Sequence, residues 1–141
     1  MTSANLDLVR SIYADWGRGD YTATAWANPE IEWVMVDGPN PGSWTGLAGM
    51  AEGFRSILSV WEDWRTVVDE YRELDEERVL VLLHMRGRGK TSGLDVGQLR
   101  KVGANLWHIR GGKVARFVIY FDRERAFADL GLPSEAESSH S

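Results

Sequence analysis

The stretch Leu106–Leu132 constrains the fold of this chain more than any other part of the sequence. Its pattern predicts a strand, a tight turn at Gly111-Gly112, a second strand over Val114–Phe121 and a short closing helix. The second strand is rich in β-branched and aromatic residues, which is typical of a strand buried on both faces. Asp122 is placed to cap the helix, and Gly131 to end it. We therefore expect a hairpin inside a sheet that leads directly into a helix.

Three earlier segments have the spacing of helices. Apolar residues recur every three or four positions over 6–16 and again from Leu47 to Trp61, so each segment would bury one face. Between them, Asp20 is placed to cap a second short helix that carries Trp26 and ends before Pro29.

The remaining segments have the patterns of strands and loops. Residues 31–37 alternate with the period of a strand, so Trp33, Met35 and Asp37 would face the same side. The Pro- and Gly-rich segment 38–44 predicts a loop. Further strands are expected over 64–74, 79–85 and 96–110.

Helices in the first half of the chain and hairpins in the second half predict an α+β domain. Its curved antiparallel β-sheet would wrap around the N-terminal helices and leave a cone-shaped interior. At 141 residues the chain fits one domain, which we assign to residues 1–133. Residues 134–141 have no apolar surface to bury, and we expect them to form a disordered tail.

The composition argues against several classes of function. A net charge of −5 at pH 7 is the opposite of what a nucleic-acid-binding surface requires. There is no Cys, and the three His residues are scattered, so we expect neither a disulfide nor a metal site. The sequence has no signal peptide and no long apolar segment, from which we expect a cytoplasmic protein that does not bind membranes. We expect no cofactor.

The supply of aromatic side chains is unusually large, with seven Trp, four Tyr and four Phe. Five of these rings, together with Met35, are accompanied by few polar groups, which favours an apolar pocket for a ligand. The same rings would also serve as plain core, and the sequence leaves both alternatives open. The five rings are Trp33, Phe54, Trp61, Trp64 and Trp107.

Characteristic residues stand at the turns and at the ends of these predicted helices and strands. With that order, the chain resembles the SnoaL-like branch of the nuclear-transport-factor-2-like superfamily, which also contains ketosteroid isomerases, limonene epoxide hydrolases and scytalone dehydratases. The resemblance spans about Leu6 to Leu132 and implies a cystatin-like cone with an internal pocket, and a homodimer formed through the outer face of the sheet. The residues that carry it are Gly19-Asp20, Trp44–Gly46, Trp61–Asp63, Gly87–Gly89, Ser92-Gly93, Trp107, Gly112–Val114, Tyr120–Asp122 and Leu130-Gly131.

The resemblance also implies roles for individual residues. Asp37 falls where the isomerases keep their general base, although an Asp-Gly-Pro sequence is equally ordinary for a loop. Asn105 falls at the position of an oxyanion-hole acid, and its amide could donate a hydrogen bond to a developing enolate; the alternative is an Asn satisfied by neighbouring backbone. The isomerases' tyrosine aligns with Ile12 instead of Tyr13, and one residue is about 100° of helix rotation, so we expect Tyr13 to face elsewhere.

Three further residues complete the candidate site. His84 lies in an apolar strand, where it would orient or protonate a ligand group if it faces the cavity; otherwise it is a hydrogen-bonded core residue. Ile119 stands where epoxide hydrolases have an Asp, and we place it on the pocket wall. Phe127 is expected to contact the ligand from the closing helix, which would then act as a lid.

The sequence therefore predicts a pocket for a small hydrophobic molecule, either cyclic or bearing a carbonyl group. If the protein is an enzyme, we expect a cofactor-independent isomerase, cyclase or dehydratase that uses acid–base catalysis by Asp37, Asn105 and His84. The alternative is a non-catalytic module for ligand binding or dimerisation, which the missing tyrosine favours.

Overall fold

The structure is a computed structural model that describes residues 3–21, 24–37, 41–89 and 98–133. The predicted tail 134–141 and most of the glycine-rich link before the fifth strand lie outside the described residues. In chain order the elements are α1 (Ala4–Gly17), β1 (Ala27–Met35), β2 (Gly42–Thr45), α2 (Gly46–Val60), β3 (Trp61–Glu73), β4 (Arg78–Gly89), β5 (Gln98–Arg110), β6 (Lys113–Tyr120) and α3 (Arg123–Leu130).

The six strands form one sheet in the order β2-β1-β6-β5-β4-β3. This confirms the predicted α+β fold, with one difference in strand direction. Four neighbouring pairs are antiparallel, but β1 runs parallel to β6. A parallel pair needs a long connection, and here most of the chain separates the two strands. The sheet is therefore mixed. In the part of the chain that the structure describes, no helix is long and apolar enough to cross a membrane.

The predicted helix over 20–26 is wrong in its described part. Residues 20, 21 and 24 have no helical structure, residues 25 and 26 form a turn, and β1 already begins at Ala27. The Trp26 carbonyl accepts a hydrogen bond from the Val114 backbone N–H at 2.8 Å. Pairing with β6 therefore outweighs the local capping signal of Asp20. The predicted loop 38–44 likewise contains the start of β2, in which Trp44 lies opposite Trp33.

The two faces of the sheet carry separate apolar clusters. The concave face packs against α1 and α2, and the outer face packs against α3. Phe127 is 1% exposed and lies in the outer cluster with Leu80, Leu82, Leu106 and Val118. The prediction that α3 is a lid with Phe127 in the pocket is therefore wrong. Side chains alternate along β6, and the chain leaves this strand toward the outer face.

The hairpin and its closing helix form as predicted. Gly111 and Gly112 have φ values of 58° and 77°, which favour glycine in a tight turn. The Asp122 carboxylate caps α3 by accepting a hydrogen bond from the Glu124 N–H at 3.0 Å. Gly131 ends the helix with a φ of 69°. These local signals set where the hairpin turns and where α3 begins and ends.

Candidate functional site

An aromatic pocket lies between α1, α2 and the concave face of the sheet. Asn105 is a polar residue on its wall, beside Ile57, Thr66, Met85 and Ile119. The free space is about 20 Å³, which is room for about one water molecule. A larger ligand would therefore have to displace one or more rings or enter only in part. Six rings line the pocket: Trp16, Tyr21, Trp33, Phe54, Trp64 and Phe117.

The rings of this pocket pack closely against one another. The Trp33 ring centroid lies 4.5 Å from that of Phe54 and 4.7 Å from that of Phe117. Each such tilted pair stabilises a fold by about 1 kcal/mol in addition to the free energy gained by burying the surface of the rings. Helix α2 approaches Trp33 through Gly53, where an added Cβ would lie 2.4 Å from the indole Nε1. That nitrogen is buried and has no hydrogen-bond partner among the described residues.

A buried polar triad lies beneath the rings. Asn105 Nδ2 donates to the Tyr13 hydroxyl oxygen at 2.7 Å, and Trp107 Nε1 donates to the same oxygen at 3.1 Å. Burial raises the pKa of Tyr13 well above its usual value, so this phenol is neutral. Asn105 is 3% exposed, and its Oδ1 has no hydrogen-bond partner among the described residues. One end of the amide is therefore held by Tyr13, and the residue lines the free space of the aromatic pocket.

The expectation that Tyr13 faces away from the interior is wrong. Tyr13 is 7% exposed, and Ile12 is buried beside it at 1%. Helix α1 lies across the concave face, so two successive residues fit within its buried stripe. The signal was available in the sequence, because Val9, Ile12, Tyr13 and Trp16 have the i, i+3, i+4, i+7 spacing of a single helix face.

Asp37 serves as an acceptor for the backbone at the end of β1. Its Oδ1 accepts from the Phe121 N–H at 2.6 Å and its Oδ2 from the Asp122 N–H at 3.2 Å. These bonds join the end of β1 to the start of α3. Asp37 is not among the residues that line the pocket, and its role as a base stays a prediction.

His84 lies exposed on the outer face of the sheet, so it is neither the cavity-facing residue nor the buried core residue that the sequence left open. Its neighbour Met85 lines the pocket, and successive side chains of a strand alternate between faces. The His84 side chain is 48% exposed, and its Nδ1 lies 2.6 Å from Asp69 Oδ2. The same carboxylate accepts from the buried Arg123 guanidinium at 2.9 Å. His84 therefore belongs to a cluster beside α3.

The predicted ligand-binding residues divide into two groups. Trp33, Phe54, Trp64 and Ile119 are placed on the pocket wall. Met35 and Trp107 are buried in the same core without lining the pocket, and Trp61 is a partly buried residue at the junction of α2 and β3. Their roles as ligand contacts stay predictions. The wall residues that sequence reasoning missed are Trp16, Tyr21, Ile57, Thr66, Met85 and Phe117.

A second, larger cavity opens beside the aromatic pocket. It has a volume of about 450 Å³ and lies between the end of α1 and the edge strand β3. We call it the outer cavity. It shares Trp16, Tyr21, Trp64 and Thr66 with the aromatic pocket, so the two spaces adjoin. Arg18 and Arg65 belong to its other lining residues, with Gly17, Gly19 and Val67.

The lining of the two cavities is poor in groups for acid–base or metal chemistry. Among the described residues that line them, none is Asp, Glu or His. The described part of the chain also contains no cluster of His, Asp and Glu that could hold a metal ion. Burial raises the pKa of Tyr21, against an opposing effect of the Arg65 charge. The chemistry that this lining supports best is stacking and hydrogen bonding.

Comparisons with known proteins identify the fold. A family model of the SnoaL-like domain matches residues 9–117. No curated protein matches the chain. An NTF2-like protein of unknown function from Burkholderia pseudomallei is 22% identical, with a TM-score of 0.74 over 90% of this chain and 97% of that one. TerC, co-crystallised with polyporic acid, is 25% identical, with a TM-score of 0.71 over 91% and 98% of the two chains. A putative SnoaL-like polyketide cyclase from Mesorhizobium loti is 12% identical, with a TM-score of 0.67 over 85% and 99%.

Proposed function

The chain belongs to the SnoaL-like domain family, and on that premise we propose that it binds a small cyclic molecule bearing a carbonyl group. The ligand would lie in the outer cavity and reach into the aromatic pocket, where the Asn105 amide would recognise its carbonyl oxygen. The observation that carries this proposal is the buried amide of Asn105, of which one end has no partner among the described residues.

The orientation of the amide decides which ligand atom it selects. With Nδ2 toward Tyr13, the phenol accepts two hydrogen bonds and its own proton has no acceptor among the described residues. Turning the amide by 180° lets Tyr13 donate to Asn105 Oδ1 while it still accepts from Trp107. The unpartnered end of the amide is then the NH₂ group. This arrangement satisfies the phenol fully and favours a ligand that supplies an acceptor, such as a carbonyl oxygen.

The rings around Asn105 favour a flat or cyclic ligand. Trp16, Tyr21 and Trp64 line both cavities, so a ring that enters from the outer cavity would pass against their faces and edges. The outer cavity has a volume of about 450 Å³, within the usual range for small-molecule sites. Because the aromatic pocket holds only about 20 Å³ of free space, only the carbonyl end of a ligand would enter without ring movement.

Binding, and not turnover, is the function that the geometry supports best. A hydrogen bond from Asn105 would also stabilise an enolate, as isomerases and aldol-type cyclases require. One structural relative is described as a putative polyketide cyclase, and TerC was co-crystallised with polyporic acid. An acid–base reaction also requires a base beside the ligand. The cavity lining that the structure describes supplies no carboxylate or imidazole for that role.

Two probes that differ only in the carbonyl group test the proposal. The affinities of 1-tetralone and of tetralin, the hydrocarbon with the same rings, would be measured by quenching of tryptophan fluorescence. We expect wild-type protein to prefer 1-tetralone by roughly fivefold to tenfold, the value of one buried hydrogen bond. Asn105→Leu should abolish the preference and leave the affinity for tetralin close to that of wild type.

The result that would contradict the proposal is an equal affinity of the wild-type protein for the two probes. Failure of both probes to bind would contradict it as well. Thermal unfolding of Asn105→Leu serves as the control that the variant is folded. The same two probes applied to Asn5→Leu, a half-buried position at the start of α1 that lines neither cavity, should give the wild-type preference.

A further inference from the structure

We propose that the ligand also carries a carboxylate, and that Arg65 binds it at the rim of the outer cavity. This inference rests on the proposed function and adds a second point of recognition to it. Asn105 would hold the carbonyl end of the ligand within the aromatic pocket. Arg65 would hold the acidic end where the outer cavity meets solvent.

The positions of the two polar groups suit a ligand with two different ends. Asn105 lines only the inner of the two adjoining spaces, and Arg65 lines only the outer one. The rings of Trp16, Tyr21 and Trp64 line both and stand between them. A cyclic ligand in contact with these rings would therefore present one end to the amide and the other to the guanidinium group.

The two arginines that line the outer cavity differ in their ion pairs. Arg18, on the same cavity, forms an ion pair with Asp15, whereas Arg65 has no ion pair among the described residues. None of the described lining residues of the outer cavity is acidic, although the chain as a whole has a net charge of −5. The guanidinium group of Arg65 is thus available to an anionic ligand group at the rim.

Arg65 lies close enough to the cavity rings to act on a bound ligand. Its positive charge opposes the effect of burial on the pKa of Tyr21, which lines both spaces. A guanidinium group offers planar paired donors that match the geometry of a carboxylate. The Arg65 residue is exposed, so the gain in affinity would be modest and would depend on salt.

The test uses two probes that share the rings and the ketone of 1-tetralone. One is 1-tetralone-6-carboxylate, and the other is its neutral 6-carboxamide. At low ionic strength we expect wild-type protein to bind the carboxylate about fivefold more tightly. The preference should disappear in Arg65→Gln, remain in Arg65→Lys and shrink as salt is raised toward 0.5 M, where the Debye length falls to about 4 Å.

A matched control separates this site from general surface charge. Arg116 is also exposed but pairs with Glu32 at 3.4 Å on a different strand, so Arg116→Gln should keep the wild-type preference. Equal affinity of wild-type protein for carboxylate and carboxamide would overturn the inference, as would an undiminished preference in Arg65→Gln. Neither result would affect the proposed function, which depends on the separate comparison of 1-tetralone with tetralin.

Discussion

At the scale of single residues, the proposed recognition of a ligand depends on how the Asn105 amide is held. Its amide is oriented by the Tyr13 hydroxyl, which also accepts a hydrogen bond from Trp107. All three groups are buried, and buried hydrogen bonds are costly to leave unmade. Tyr13 therefore positions the amide that we propose to bind the ligand, and it stabilises the core.

Removal of the Tyr13 hydroxyl should destabilise the protein. Tyr13→Phe leaves the Trp107 N–H without its acceptor and the facing end of the Asn105 amide without its partner, so we expect a loss of about 2 kcal/mol in the free energy of unfolding. Urea denaturation measures it. Tyr21→Phe is the control, since Tyr21 is only half-buried, and it should change stability by less than about 0.5 kcal/mol. A Tyr13→Phe variant as stable as wild type would contradict the role of the triad.

Asp37 is expected to matter for stability more than for ligand binding. Its two oxygens accept N–H groups of Phe121 and Asp122, and Asp37→Asn replaces one acceptor by a donor. We expect a loss of about 1–2 kcal/mol in unfolding free energy with an unchanged affinity for 1-tetralone. Loss of affinity without loss of stability would instead support Asp37 as a ligand-contacting base. Asp15→Asn, at an exposed ion pair, is the control for removal of a surface charge.

At the scale of elements, local chemistry predicted the C-terminal part well. The glycine turn at 111–112, the Asp122 cap and the Gly131 stop are all set by neighbouring residues. The parallel pairing of β1 with β6 could not be predicted in this way, because it depends on residues far apart in the sequence. That pairing also replaced the expected helix before β1.

The sequence predicted only part of the candidate site, because the position of some of its residues depends on contacts between distant segments. The strand over 79–85 is apolar on both faces, which hides the alternation that would have placed His84 outside and Met85 inside. Trp33, Phe54 and Trp64 could be placed near the pocket because their own segments have clear periods. The role of Tyr13 required knowing how α1 lies across the sheet.

The close contact between α2 and β1 predicts how a substitution at Gly53 changes the stability of the protein. Gly53→Ala would raise the helix propensity of α2 by about 1 kcal/mol, but its Cβ would lie 2.4 Å from Trp33 Nε1. We expect the clash to prevail and to lower the melting temperature, because Trp33 is 1% exposed and its ring packs closely against Phe54 and Phe117. Gly17→Ala, with open space around its position, is the control. A Gly53→Ala variant more stable than wild type would contradict this close packing.

At the scale of the whole molecule, the outer face of the sheet carries the proposed homodimer. Val67, His84 and Val102 lie opposite one another across three strands on this face. The two valines are 47% and 42% exposed, Val67 on the edge strand β3 and Val102 on β5, so they add exposed apolar surface to this face. A second copy of the chain would cover this row.

A charge in this row should therefore disrupt the dimer. We expect Val102→Arg, at a position that lines neither cavity, to shift the protein from dimer to monomer in analytical ultracentrifugation, because the charge would be buried without a partner. Leu47→Arg is the matched control, since Leu47 is 39% exposed on α2 and away from this row. A wild-type protein that sediments as a monomer at high concentration would contradict the proposed dimer.

The central claim is that the Asn105 amide donates a hydrogen bond to a ligand carbonyl. Infrared difference spectroscopy of ¹³C=O-labelled 1-tetralone measures this contact directly, since a hydrogen bond lowers the frequency of the carbonyl stretch. We predict a lower frequency for the probe bound to wild-type protein, and a return toward the value in an apolar solvent when the probe is bound to Asn105→Leu. The same bound frequency in both proteins would contradict the account.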